Sequence, residues 1–141
     1  MSMEKILGIA ASSMNAQMVR MNTTASNLAN ANTVAASEKE VFRAKRPIFQ
    51  TLVSEAQLDQ GNKYIGGVKI KSVVDDPSPV NKLYSPSNPL ANDEGFVYKG
   101  NINEVTEMVE MMASARAYQN SVEVMTTARQ LMMRTSELLK A

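Results

Sequence analysis

The chain has 141 residues, enough for one domain with extensions but not for two independent ones, and 44% of them are apolar. Only three Phe, four Tyr and no Trp are present, which excludes a core built on large aromatic rings, and 15 basic against 14 acidic residues leave a formal charge of +1, too balanced for long-range attraction to nucleic acid or an anionic membrane. The absence of both His and Cys removes the commonest general base, the thiolate nucleophile, disulfides and the usual zinc ligands.

Taken in chain order, the apolar pattern predicts a first helix over residues 4–28. Leu7, Met14, Met21 and Leu28 recur every seventh residue, and Ala11, Met18 and Ala25 fill the same stripe, the spacing of a left-handed helical packing seam. Ser2 is placed to cap the start, and Glu4 lies in the first turn, where backbone N–H groups favour negative charge. The run Ile6–Ala11 is too short and too soon interrupted by Asn15, Gln17 and Arg20 to read as a cleavable leader, and no stretch approaches the roughly 20 apolar residues that span a bilayer. Any export is therefore expected to use another route. Asn22, Asn27, Asn30 and Asn32, with neighbouring Thr and Ser, compete for backbone hydrogen bonds, so the helix is expected to stop between Leu28 and Thr33. Two readings of that end stand side by side: a plain polar terminus, and a contact to a neighbouring subunit made by the amides of Asn27, Asn30 and Asn32.

Residues 34–102 hold all five prolines and five of the six glycines. Val68 and Ile70 alternate with Lys69 and Lys71, and Phe96 and Tyr98 with Val97 and Lys99, predicting two short strands. Pro77 to Pro89 excludes a helix between them, since each proline removes a donor and restricts the residue before it. Ser54–Lys63 has few apolar anchors and is expected to be mobile.

A second helix is predicted over residues 104–139. Asn103 caps it, Glu104, Glu107 and Glu110 occupy its first turns, and Arg129, Arg134 and Lys140 lie near its other pole. Met108, Met112, Ala115, Tyr118, Val122, Met125, Met132, Thr135 and Leu139 form its stripe, and Val105, Val109, Met111, Leu131, Met133 and Leu138 add apolar surface beside it. At about 1.5 Å per residue this helix would run roughly 54 Å, too long for a compact monomer of this size. All 11 methionines lie in residues 1–21 or 108–133, so both ends carry apolar surface that the middle cannot cover. Other subunits are the expected cover.

No constellation of catalytic type emerges. Asp75-Asp76 and Asp93-Glu94 sit in the proline-rich segment and read as solvated loop acids, Ser2-Met3-Glu4-Lys5 matches an S-x-x-K spacing without its companion motifs, and Gly66-Gly67 lacks the strand–loop–helix setting of a phosphate loop. Arg43, Lys45 and Arg46, flanked by Phe42 and Phe49, with Lys69 and Lys71, could suggest a nucleic-acid surface, but Glu38 and Glu40 lie beside them. A protein-contacting or solvated strand is the reading adopted.

Ser26-Asn27-Leu28-Ala29-Asn30-Ala31-Asn32-Thr33 resembles the Asn-rich signature of the bacterial flagellar rod protein family. The resemblance continues through Phe42-Arg43-Ala44-Lys45-Arg46-Pro47-Ile48-Phe49-Gln50, Gly66-Gly67-Val68, Asp76-Pro77-Ser78-Pro79, Asn101-Ile102-Asn103, Glu107-Met108-Val109 and Ser114-Ala115-Arg116-Ala117-Tyr118-Gln119. Two places depart from it: Gly100, where proline is common, and Asn120-Ser121, where Ala-Asn is usual. The resemblance implies a subunit of the proximal rod in the periplasmic part of the flagellar basal body, exported through the flagellar type III apparatus without a cleaved leader. It implies helical polymerisation into a hollow, torque-transmitting driveshaft, with further copies of itself and the rod proteins FlgB and FlgF as partners, and no cofactor.

The expected fold is therefore mainly α with a small β insert. Residues 1–33 and 104–141 supply long N- and C-terminal helices packed as a coiled-coil-like inner domain, and residues 34–103 an extended-loop and short-strand middle region. The expected assembly interface comprises Leu7, Met14, Met18, Met21, Leu28, Asn27, Asn30, Asn32, Met108, Met112, Tyr118, Val122, Met125, Met132 and Leu139. No catalytic, cofactor or metal residue is assigned, and nucleic acid and membrane-spanning roles are not expected. A soluble coiled-coil adaptor is the alternative reading.

Overall fold

A computed structural model of the chain describes residues 3–52 and 66–139. The expected Ser2 cap and the segment Ser54–Lys63 lie outside the described residues. The elements in order are α1 (Met3–Ala29), β1 (Val34–Ala35), β2 (Lys45–Thr51), β3 (Val68–Asp75), β4 (Asn81–Tyr84), β5 (Phe96–Lys99) and α2 (Glu104–Leu138). The architecture is mainly α, with N- and C-terminal helices that pack together and a small β region between them in sequence.

The described residues divide into two compact units, one drawn from the described parts of Met1–Val19, Ile48–Ser72 and Ala113–Ala141, the other from Arg20–Pro47 and Val73–Met112. In the first unit the helices meet through small side chains. Ala10, Ala16, Ser114 and Ala128 are buried, and the hydroxyls of Ser13 and Ser121 lie 3.0 Å apart. Small residues let two helix backbones approach, so the fully buried positions of this contact are alanine and serine, with longer side chains half-buried beside them. Ser12 attaches β3 to this helix. Its Oγ donates to the Ile9 carbonyl at 2.8 Å and accepts from the Val68 N–H at 3.2 Å. Leu52 N–H donates to the Gly67 carbonyl at 2.8 Å, and a Cβ at Gly67 would come 3.3 Å from Ser12 Oγ, so this crossing is close.

The second unit holds the three-stranded antiparallel sheet β1-β5-β4, with Val34 opposite Lys99 and Leu83 opposite Val97. Val97 is its buried residue; Phe96 and Tyr98, on the other side of the strand, are half-buried. The turn into β5 is built by Asn92, whose Oδ1 accepts from Glu94 N–H and Phe96 N–H at 3.1 and 2.9 Å, with Gly95 at φ 81°. That left-handed conformation favours glycine. A Cβ at Gly100 would run into the Phe42 carbonyl, which gives glycine a steric reason at a place where proline is common in the family resembled.

The helix ends follow the sequence. α1 stops at Ala29, inside the expected window, and Asn30 closes it: its N–H donates to the Ser26 and Asn27 carbonyls, its Nδ2 to the Ser26 carbonyl at 2.8 Å, and its own carbonyl accepts from Thr33 Oγ1. α2 starts on Asn103, whose Oδ1 accepts from Thr106 N–H at 3.0 Å. β3 has the expected alternation over its first four residues, Val68 and Ile70 half-buried and Lys69 and Lys71 exposed.

Candidate functional site

Where the apolar stripes ended up decides what surface this chain offers. In the first unit Leu7, Met14, Tyr118 and Met125 are half-buried, while Met18, Val122, Met132 and Leu139 are exposed. In the second, Met21 and Leu28 are half-buried, and Met108 and Met112 are exposed. The helix faces turned inward are lined instead by Ala10, Ala16 and Ala128 in the first unit and by Thr24, Asn27 and Glu107 in the second. So the long side chains of the two stripes flank the intrachain contact, or point away from it. Val105, Met108, Val109 and Met112 make this plainest: they follow i, i+3, i+4, i+7 spacing, the period of one helix face, and all four are exposed, Met112 at 68%.

The second unit is held by a polar cluster that the sequence reading did not assemble. Asn27 and Glu107 are both fully buried. Asn27 Oδ1 accepts from Lys45 N–H at 2.8 Å, and its Nδ2 donates to the Lys45 carbonyl at 3.0 Å and to Glu107 Oε2 at 2.9 Å. One amide thus pairs with both backbone groups of Lys45, as a strand would, and fixes the second-unit end of β2 against the helices. Glu107 Oε1 lies 2.6 Å from Arg46 Nη1, a close charge contact without hydrogen-bond alignment. Arg46 Nε reaches Asp76 Oδ2 at 3.4 Å, and Asn101 completes the set, accepting from Ala44 N–H and donating to the Asp76 and Ser78 carbonyls. Higher up, Arg20 pairs with Glu110, and Asn32 donates to Glu104 Oε1 at 2.7 Å while accepting from Lys99 Nζ at 2.8 Å. The Asn-rich signature is therefore engaged within its own chain. A clue to Glu107 was legible: it recurs with Glu104 and Glu110 at threefold spacing, and the Asn signature faces them across the helix pair.

Asp76 is the one group here whose acidity is clearly shifted. The Ser78 side chain and backbone N–H both donate to its Oδ1, at 2.5 and 2.9 Å, and Arg46 adds positive charge, so its carboxyl sits below the ordinary value of 3.8. A carboxyl lowered by folding contributes stability that is present above its unfolded value and lost as pH falls through its folded value. Stability measured by urea denaturation should therefore fall on acidification below that ordinary value, and the Asp76→Asn variant should show a weaker dependence across the same window.

The basic cluster is likewise engaged at home. Arg43 pairs with Glu38 at 3.0 Å, Lys45 with Asp75, and Arg46 with Asp76 and Glu107. Three cations matched by four carboxylates make a poor anion-binding surface. Among the described residues no group of three or more acids could hold a metal ion, and no helix is long and apolar enough to cross a membrane.

Two family models match this chain: one described as flagella basal body rod protein, over residues 7–36, and one described as flagellar basal body rod FlgEFG protein C-terminal, over residues 93–138. The flagellar basal-body rod protein FlgC of Buchnera aphidicola from Acyrthosiphon pisum is 40% identical over 137 residues, covering 96% of both chains. FlgC of Yersinia enterocolitica is 38% identical over 98% of both, and FlgC of Bacillus subtilis 33% identical over 95% of this chain and 96% of its own. The chain belongs to the FlgC family of flagellar basal-body rod proteins. Membership makes it a non-enzymatic structural subunit of the flagellar rod. The two matched segments carry α1 with its Asn-rich turn and β5 with α2, so they supply Asn27, Asn101 and Glu107 of the buried cluster and the whole exposed stripe, while Lys45, Arg46 and Asp76 lie between them.

Proposed function

We propose that this FlgC-family chain polymerises helically in the proximal rod, within the periplasmic part of the basal body, to form a hollow shaft that transmits torque. The observation that carries the reading is the exposed face Val105–Met108–Val109–Met112 on a helix whose inward face is already satisfied by small and polar side chains. Burying a methionine contributes roughly 1.5–3 kcal/mol, so several on one face drive association. The thioether adapts to irregular gaps, which suits a surface that must meet copies of itself and unlike neighbours such as FlgB and FlgF. Met18, Met108, Met112, Val122, Met132 and Leu139 are the contacting members of the interface. Leu7, Met14, Met21, Leu28, Tyr118 and Met125 add their half-buried edges. Asn32 is exposed and, beyond its bonds to Glu104 and Lys99, keeps one amide hydrogen for a neighbour, while Asn27 and Asn30 hold the turn that presents it. Residues 1–33 and 104–141 act as the inner helical domain and 34–103 as the outward region, and delivery runs through the flagellar type III export apparatus.

The test replaces Met108 and Met112 together by Glu. Exposed substitutions of this kind change folding stability by about 0.5 kcal/mol or less, so the urea midpoint of the isolated chain should hold. Motility and recovery of the chain in purified basal bodies should be lost in a strain lacking its own copy. Normal motility would reject the interface, and a small soluble oligomer that persists on dilution would favour the coiled-coil adaptor.

A further inference from the structure

Sulfur chemistry on the exposed face supplies an inference of a different kind. The chain has no cysteine and no tryptophan, so methionine carries all its sulfur and is its most readily oxidised side chain. Along one stretch of α2, Met108 and Met112 are 49% and 68% exposed, while Met111 is half-buried and engaged within the chain. Met108 and Met112 stand one helical turn apart and share their face with Val105 and Val109. Other methionines are also open, Met18 and Met133 among them, but this pair makes up half of a four-residue apolar face.

We propose that Met108 and Met112 are a sulfoxidation site, through which peroxide inactivates the free subunit's association face before assembly buries it. The thioether sulfur attacks one peroxide oxygen, the O–O bond breaks and an S–O bond forms. Sulfur loses two electrons, and the other peroxide oxygen leaves as water after proton transfer. Each event replaces a flexible apolar side chain by a polar, chiral one. Two on a single face leave Val105 and Val109 as its only apolar members. The change is reversible by methionine sulfoxide reductases of both epimer specificities, so the site acts as a switch and not only as a lesion.

The consequence for association rests on the reading under Proposed function; the site itself does not. The experiment exposes the full-length chain to hydrogen peroxide and maps sulfoxides by peptide mass spectrometry. Met108 and Met112 should oxidise well ahead of Met111, Met14 and Met21. Equal rates, or protection of the pair, would overturn the site. Self-association is then measured by sedimentation for the oxidised wild type and the oxidised M108L/M112L variant. Oxidation should weaken wild-type association about tenfold or more, the equivalent of removing one methionine's burial, and the reductase pair should restore it. The leucine variant, with no sulfur on this face, should lose much less of its association after the same treatment, the remainder passing through Met18 and Met132. Equal loss in both proteins would overturn the switch, and an untreated chain that never associates would sink the assembly reading while the sulfoxide map still decides the site.

Discussion

Replacing Asn27 by alanine is expected to lower folding stability by about 3–5 kcal/mol, far more than the removal of an exposed asparagine. The side chain is fully buried and makes three hydrogen bonds, to both backbone groups of Lys45 and to Glu107 Oε2. Alanine deletes all three while leaving the partners in place. Each neutral group so stranded costs about 1–3 kcal/mol, and a carboxylate costs more because its charge depends on donors inside the protein. Asn27→Asp separates chemistry from size. It has nearly the same shape and keeps the acceptor for Lys45 N–H, but it loses both donors and sets a second carboxyl 2.9 Å from Glu107. It should be at least as damaging as alanine at neutral pH. Urea denaturation of the three proteins checks both expectations. An alanine variant within about 1 kcal/mol of wild type would show that Asn27 is a surface cap, the plain polar terminus that its composition also allowed.

That ambiguity shows what could be read from the chain and what could not. Both helices were legible because their apolar spacing persists over many turns, and their ends because Asn30 and Asn103 supply the side-chain oxygens and amides that helix ends need. The strand at Val68 announced itself by alternation, and β5 by its alternating aromatics. Less visible was the face by which the helices meet. Hydrophobicity pointed to the methionines, whereas the centre of the contact is lined by Ala10, Ser13, Ala16, Ser121 and Ala128, which score weakly yet permit close approach, and Met14 and Met125 are only half-buried. The rods were legible, their rotation was not. Nor could a pattern one helix long reveal the cluster of Asn27, Arg46, Asp76, Asn101 and Glu107, whose members are brought together from four separate stretches of sequence.

The same division of labour links structure to role. An inward face of small and polar side chains holds each subunit together with little apolar surface, which frees Met18, Met108, Met112, Met132 and Met133 to point outward. A chain whose internal contact used those methionines would have nothing left for the neighbours proposed above. Hydrogen-bonded amides and ion pairs demand particular geometry, so they fix one arrangement of strand and helix. Thioethers tolerate several, so they suit contacts with unlike neighbours.

Arg46→Met is expected to be costly, about 3–5 kcal/mol, although the arginine is itself partly exposed. Its guanidinium is the cation beside Glu107, at 2.6 Å, and the carboxylate it faces has no accessible surface. Methionine keeps the length and apolar stem of the side chain and removes only the charge and donors, leaving a buried carboxylate with Asn27 as its hydrogen-bond donor in the cluster. Combining Arg46→Met with Glu107→Gln should recover much of the loss. The glutamine carbonyl still accepts from Asn27, and no uncompensated charge remains inside. In a double-mutant cycle measured by urea denaturation, the double variant should therefore be more stable than Arg46→Met alone, a non-additivity reserved for groups in direct contact. Additive losses would mean that Arg46 acts through Asp76 at the surface instead. Exposed ion pairs of that sort contribute about 0–1 kcal/mol, so a small effect of Arg46→Met and additivity would appear together.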